Sequence, residues 1–555
     1  MGKKKAGKNR NTGLPEDRLS QSSDPSRVKE LLKAAYRDSQ EGKHPEVAEK
    51  CRQILAEQPD NVHALMLLGL AASASGSCDD AIPLLERVVG LAPDWAVARV
   101  NLGTSFQRCG KREKAVEQYQ KAIDLNPENV EAHINLGNSH KKGENYVDAL
   151  LSYQAALKLE SRWEAYSALS DVLMRLGYME AAEEAVLKAL KLNPESYEAY
   201  INLGEVFSRQ FKLEAARQAY TAAYSVSGES VSLWNRAFVE FRQGLLAEAY
   251  RDYEVGLQVG NRVPVDFQVP WWGGVSSIEN KHLAISLEQG LGDEIIFATC
   301  YPDAAASARS LTITCDPRLA PAWQRLLPNA DIVPVTKDER RARSFSPPEG
   351  YSLPDFQIAA GTLPSVFRPN LASFPESRQI LIPDERLRAK WKERVDSLPP
   401  GLRVGVSWRS SKMTVKRSWS YIIPQDLAPL FQVPGVTFVN LQYDADDNDF
   451  REIREWLGGP LHHWSDLDQY NDLEQVMALV DNLDLVISVN NASSRIASAL
   501  GKETWLMERG SIWNFGQYYV PFFSNTRAFL FSDFEDRQEL VRSIANKLIK
   551  KVKND

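Results

Sequence analysis

Apolar positions along the chain follow two rhythms, and the change falls near residue 260. Before it, small residues recur at fixed spacing. Gly69, Gly103 and Gly137 are 34 residues apart, Ser170 follows after 33 and Gly204 after another 34. A column of alanines runs through Ala81, Ala115, Ala149, Ala182, Ala216 and Ala249, and Pro59, Pro93, Pro127 and Pro194 mark unit ends. Such a period predicts stacked helix pairs that cross closely at the small residues, with proline closing each unit. After residue 260 the apolar residues come in short β-rich runs: Leu283–Leu287, Leu311–Cys315, Asp331–Val333 and Phe356–Ala359, then Leu402–Trp408, Val436–Leu441, Leu485–Val489 and Glu503–Met507. Strand-length runs alternating with helical stretches predict parallel α/β sheets. Pro399-Pro400-Gly401 separates two such blocks, and an amphipathic helix is predicted from about Asp533 to Lys551.

The 34-residue unit resembles the tetratricopeptide repeat. Asn101-Leu102-Gly103, Asn135-Leu136-Gly137 and Asn202-Leu203-Gly204 match its first helix; Ala115 with Tyr119 and Ala122, and Ala149 with Tyr153 and Ala156, match its second. Six to seven units then form an α-solenoid with a concave groove. The recurring amides of Asn101, Asn135 and Asn202 are candidates to hold an extended peptide in that groove; bridging helices within the scaffold is the other reading. Ser161, where proline is missing, marks an irregular fourth unit.

At 555 residues the chain has room for several domains. The pattern divides it into a basic, polar tail at 1–26, repeats at 27–260, a linker at 261–280, a first Rossmann-like domain at 281–398, a second at 399–532 and a C-terminal helix at 533–555. A formal charge of −7 argues against nucleic acid as the main partner. Without an apolar run of membrane-spanning length or a signal-peptide core, the expected location is the cytoplasm. Cys51, Cys78, Cys109, Cys300 and Cys315 show no CxxC spacing and are expected to be reduced, packed thiols. The seven histidines form no metal-ligand pattern.

Candidate chemistry begins at Leu287-Glu288-Gln289-Gly290-Leu291-Gly292-Asp293, where a predicted strand feeds a glycine turn and a helix. That arrangement brings backbone N–H groups toward an anionic ligand. Asp293 is placed to act as a base or to cap the helix. Pro270-Trp271-Trp272-Gly273 with this turn, Gly361-Thr362-Leu363-Pro364-Ser365, Val404-Gly405-Val406-Ser407-Trp408 and Leu485-Val486-Ile487-Ser488-Val489 resemble, in order, the glycosyltransferase-like domains fused to bacterial tetratricopeptide arrays. Those domains are similar to the lipopolysaccharide heptosyltransferases and, more distantly, to O-linked N-acetylglucosamine transferases.

The resemblance implies a GT-B fold: an α-solenoid followed by a pair of α/β Rossmann domains, with no metal and no cofactor. It implies transfer of a sugar from a nucleotide-diphosphate donor to a hydroxyl of a protein or glycan, the repeats recruiting acceptor or partner. Asp293 matches the family's general base. Gln289, Gly290, Gly292 and Thr362 fall in the acceptor-side loops. Ser407, Lys416, Arg417, Asn490, Asn491 and Arg495 fall on the donor side, where cations would offset diphosphate charge. The family's Asp-Thr-Ala-x-x-His-x-Ala-x-Ala-Leu-Gly is here Asn490-Asn491-Ala492-Ser493-Ser494-Arg495-Ile496-Ala497-Ser498-Ala499-Leu500-Gly501. Its small residues survive; its aspartate, threonine and histidine do not. The alternative is therefore a non-catalytic scaffold with a degenerate GT-B domain.

Overall fold

The computed structural model describes residues 25–336, 338, 352–376, 379–410, 421–457, 461–531 and 536–554. The chain separates into two compact units, divided between Val206 and Phe207.

The first unit is built from helix pairs running from α1 (Pro25–Gln40) to α11 (Tyr197–Arg209), which crosses the division. Local signals set the helix ends. Asn61 and Asn129 cap their helices by accepting the N–H of Ala64 and Ala132. Gly177, at φ 94°, closes another in the left-handed conformation that favours glycine. The glycine column marks where a large side chain of the following helix enters. A Cβ on Gly103 would lie 2.7 Å from the Tyr119 ring, on Gly137 2.7 Å from Tyr153, and on Gly69 2.8 Å from Leu85. Those three side chains are fully buried, as is every member of the alanine column. Burying a leucine such as Leu85 stabilises by roughly 1.5–3 kcal/mol. Ser170 occupies the column without a mismatch, because its hydroxyl donates to the Ala182 carbonyl at 2.8 Å.

One expectation fails here. Cys78, the first residue of α4 (Cys78–Leu91), and Cys109, just past α5 (Ala96–Arg108), form a disulfide with Cα atoms 5.8 Å apart. They belong to successive repeats, and stacking brings the end of one helix beside the start of the other. No local cysteine motif marks a pairing made by repeat geometry. Cys51, Cys300 and Cys315 are buried free thiols.

The second unit contains α12 (Leu213–Ser227), α13 (Val231–Gln243), α14 (Leu246–Gln258) and two sheets. In the first sheet, β1 (His282–Ser286), β2 (Ser310–Cys315), β3 (Asp331–Pro334) and β4 (Phe356–Ala359) pair in parallel in the order β3-β2-β1-β4. In the second, β5 (Leu402–Ser407), β6 (Val436–Asn440), β7 (Leu485–Val489), β8 (Thr504–Glu508), β9 (Tyr519–Val520) and β10 (Phe523–Leu530) take the order β6-β5-β7-β8-β10-β9. All are parallel except the β9–β10 edge. The central strands are buried along their whole length, as sheets covered on both faces require.

Strand β10 is absent from the sequence reading. Only Phe523, Thr526 and Ala528 of its eight residues are buried, a weaker signal than the continuously buried β1 or β7. The C-terminal helix runs from Asp536 to Asn554 and buries Leu540, Val541, Ile544 and Leu548 against the second sheet. The strand order reverses between β1 and β4 in the first sheet and between β5 and β7 in the second. Open parallel sheets hold ligands just beyond the strand ends at such reversals.

Candidate active site

The first reversal gathers the glycine turn. Beyond β1, the N–H of Leu287 donates to Thr314 Oγ1 at 2.8 Å. The buried Glu288 carboxylate receives Arg262 Nε and Nη2, both at 2.8 Å, and the Gly361 N–H at 2.6 Å. Gly290 is the N-cap of the helix Leu291–Phe297, so Asp293 lies inside the first turn and is not the cap. A carboxylate there is favoured by the helix dipole. Asp293 Oδ1 accepts Trp513 Nε1 at 3.2 Å. The neighbouring Glu294, fully buried, accepts the Asp316 N–H and Trp323 Nε1 and pins the helix to the first sheet.

The turn leaves room above it. A Cβ on Gly290 would meet nothing within 4 Å, and one on Gly292 only Arg495 Cγ at 3.6 Å. Gln289 is half-buried beside it. Thr362, across the reversal, accepts Arg262 Nη2 at 2.9 Å and donates to Glu254 at 2.8 Å.

At the second reversal, Asn491 Nδ2 donates to Ser407 Oγ at 2.7 Å and to the Arg409 carbonyl at 3.1 Å. Its side chain also caps the helix Ala492–Ala499 through a capping box with Ser494. Gln442, beyond β6, accepts from Ser407 Oγ and from the N–H groups of Trp408 and Arg409, fixing the end of β5. Asn490 is exposed and donates to Ser511 Oγ at 3.2 Å. The Arg409 guanidinium is neutralised by Asp449 at 2.7 Å and Asp444 at 3.6 Å. Lys416 and Arg417 lie outside the described residues.

Arg495 differs from Arg409. It is only 2% exposed, and neither Nη1 nor Nη2 has a hydrogen-bond partner among the described residues. Burial pulls its pKa down, opposed by the charges of Glu508 and Asp293. Glu508 is buried too. Its Oε1 accepts Asn514 Nδ2 at 3.0 Å, and its Oε2 has no partner among the described residues. Desolvation pushes this carboxyl up to about 7, against Arg495, the Ser511 N–H and Asn514. Orphaned buried polar atoms cost about 1–3 kcal/mol each, and more when charged. Two such atoms on Arg495 and one on Glu508 lie unsatisfied among the described residues.

The recurring amides of the repeats sit on first helices, as expected. Asn101 Nδ2 points to Met66 Sδ at 3.3 Å, and Asn202 Nδ2 donates to the Ser167 carbonyl and hydroxyl, both at 3.0 Å. Asn135 is half-buried on α7 (Val130–Lys142). The sequence reading assigns no role to Arg262, Glu288, Glu508 or Trp513. Glu288 stands inside the quoted motif, and its signal was a carboxylate directly after an apolar strand.

Comparison with known proteins bears first on the repeats. The sequence model described as "TPR repeat" matches residues 103–143, and that described as "Tetratricopeptide repeat" matches 32–94 and 167–230. Protein FlbA of Caulobacter vibrioides is 31% identical over 304 residues, covering 53% of this chain. The chain spans about half, 51%, of that curated relative's length. Among solved structures, the anaphase-promoting complex hetero-tetramer Cut9–Hcn1 is similar at TM-score 0.38 and 16% identity, over 43% of this chain and 48% of that one. PilF of Pseudomonas aeruginosa is similar at TM-score 0.32 and 22% identity, over 36% and 90%. Among the described residues no helix is long and apolar enough to cross a membrane. The N-terminal half of this chain carries tetratricopeptide repeats, and parallel α/β sheets follow them.

Proposed function

We propose that the α/β region is a GT-B-type glycosyltransferase that moves a sugar from a nucleotide-diphosphate donor to a hydroxyl, and that the repeats bring the protein acceptor or a partner. In this reading residues 281–398 form the acceptor-side domain and 399–532 the donor-side domain. The observation that carries it is the buried guanidinium of Arg495, whose Nη1 and Nη2 have no hydrogen-bond partner among the described residues, near Asp293 and beyond the β5–β7 reversal. A guanidinium in that state gains more from an arriving phosphate oxygen than an exposed one, because its desolvation has already occurred. Asp293 takes the acceptor proton, while Arg495 stabilises charge developing on the departing diphosphate.

The second reading, a scaffold without turnover, is favoured by Asn491. Its side chain is engaged by Ser407, Ser494 and the Arg409 carbonyl, which makes it part of the frame. The test is thermal stability of the full chain with UDP-, GDP-, ADP- and CMP-sugars. A ligand at 100 times its Kd adds about 2.7 kcal/mol of stability. Arg495→Met should raise the melting temperature of the free chain by removing a buried charge whose Nη groups have no hydrogen-bond partner among the described residues, yet abolish most of the ligand response. No response to any of the four sugars in the unaltered chain defeats the donor assignment and leaves the scaffold.

A further inference from the structure

The Arg262 guanidinium is fully buried, and all of its N–H groups are engaged. Nε and Nη2 grip both oxygens of Glu288, Nη1 donates to Glu254 at 2.7 Å and to the Tyr253 carbonyl at 3.4 Å, and Nη2 also reaches Thr362. The guanidinium lies over the Tyr253 ring, 4.4 Å from its centre. Tyr253 and Glu254 belong to α14, the last repeat helix; Glu288 opens the turn that carries Asp293; Gly361 and Thr362 lie across the β1–β4 reversal. One cation therefore ties three segments that are far apart in sequence.

A second route runs in parallel. The Tyr253 ring meets Trp513 edge to face at 6.2 Å, and Trp513 donates to Asp293. Helix α14 thus holds the turn at its first residue through Arg262 and at its last through Trp513. A buried bidentate pair is a costly way to gain stability, since apolar residues of similar volume commonly do as well. What the fork supplies and an apolar patch does not is a fixed orientation of the Glu288 carboxylate, and with it of the Gly361 N–H.

We infer that Arg262 is a positioning residue: it fixes the turn bearing Asp293 onto the last repeat helix, so that the geometry of the acceptor-side loop is set from the repeat array. This rests on the transferase reading for its consequence in turnover, but the positioning itself is measurable without it. Arg262→Lys keeps the charge and loses the fork. Glu254→Gln removes a half-exposed partner and leaves the Glu288 pair intact.

The experiment is hydrogen exchange on the full chain, read on peptides covering 287–294 and on the second sheet at 402–410 and 485–508. Arg262→Lys should speed exchange in 287–294 by about tenfold, as loss of a local tether does, and leave the second sheet unchanged. Glu254→Gln should act in the same direction and less. With an active donor in hand, Arg262→Lys should lower kcat roughly 10- to 100-fold through misplacement of Asp293, with the donor KM within about twofold. Wild-type exchange in 287–294, or a rise spread evenly over both sheets, overturns the inference. If the unaltered chain transfers no sugar, the transferase reading fails, while the exchange result still decides the role of Arg262.

Discussion

At Asp293 the chemistry turns on one oxygen atom. Replacing the carboxylate by an amide keeps an acceptor for Trp513 Nε1 and changes little of the helix turn. Asp293→Asn is therefore expected to lower transfer by roughly 10²–10⁴-fold with nearly unchanged donor affinity and melting temperature. Steady-state rates of the variant check this; wild-type turnover would refute the base assignment. Glu508 offers a pH readout. Its folded-state carboxyl is raised to about 7 from an ordinary 4.5 by burial. The folded chain thus holds that proton more tightly than the unfolded chain. The associated stability is complete below about pH 4.5 and is lost as pH rises through about 7, a contribution on the order of 3 kcal/mol. Glu508→Gln should flatten that part of the stability–pH curve in denaturant titrations, and an unchanged slope would show that Glu508 does not titrate there.

Among the elements, the repeat helices were the most legible, because a spacing of 34 residues is a geometric constraint written directly in residue size. Gly103 shows the reason: the Tyr119 ring occupies the place of its missing side chain. Gly103→Leu should destabilise the repeats by roughly 1–3 kcal/mol through overpacking, seen as a lower melting midpoint by circular dichroism. A melt superimposable on the original would contradict this packing. The strands β1, β5 and β7 were legible as short, mostly apolar runs, whereas β10, half-exposed and polar at four successive residues from Ser524 to Arg527, was not. The candidate site was legible where its residues adjoin a strand end: Asp293, Ser407, Asn491 and Arg495 all do. Arg262 and Trp513 were not, since each acts on a segment reached only through the fold, at separations of 26 and 220 residues.

On the scale of the molecule, the last repeat helices and the α/β sheets share one core in the second unit. Phe241 of α13 packs on Trp513 and Phe515, and Tyr250 and Tyr253 of α14 join the same cluster. The residues that end the repeat pattern therefore also supply part of the apolar support of Asp293. In the first unit a different logic operates. An array whose repeats touch only their neighbours loses structure from its ends inward, one unit at a time. The Cys78–Cys109 link interrupts that sequence, because the two repeats it joins cannot separate while it holds. Closing a loop of 31 residues restricts the unfolded chain by about 3–4 kcal/mol in the loop-entropy account. Under tension applied at the N-terminal end, an oxidised array should release its first helices and then stall, with a released length shorter by the 31-residue loop until reductant is added. Force traces that match with and without reductant would exclude that role. The array then behaves as a spring with a stop, whose extension is limited by the redox state of its surroundings.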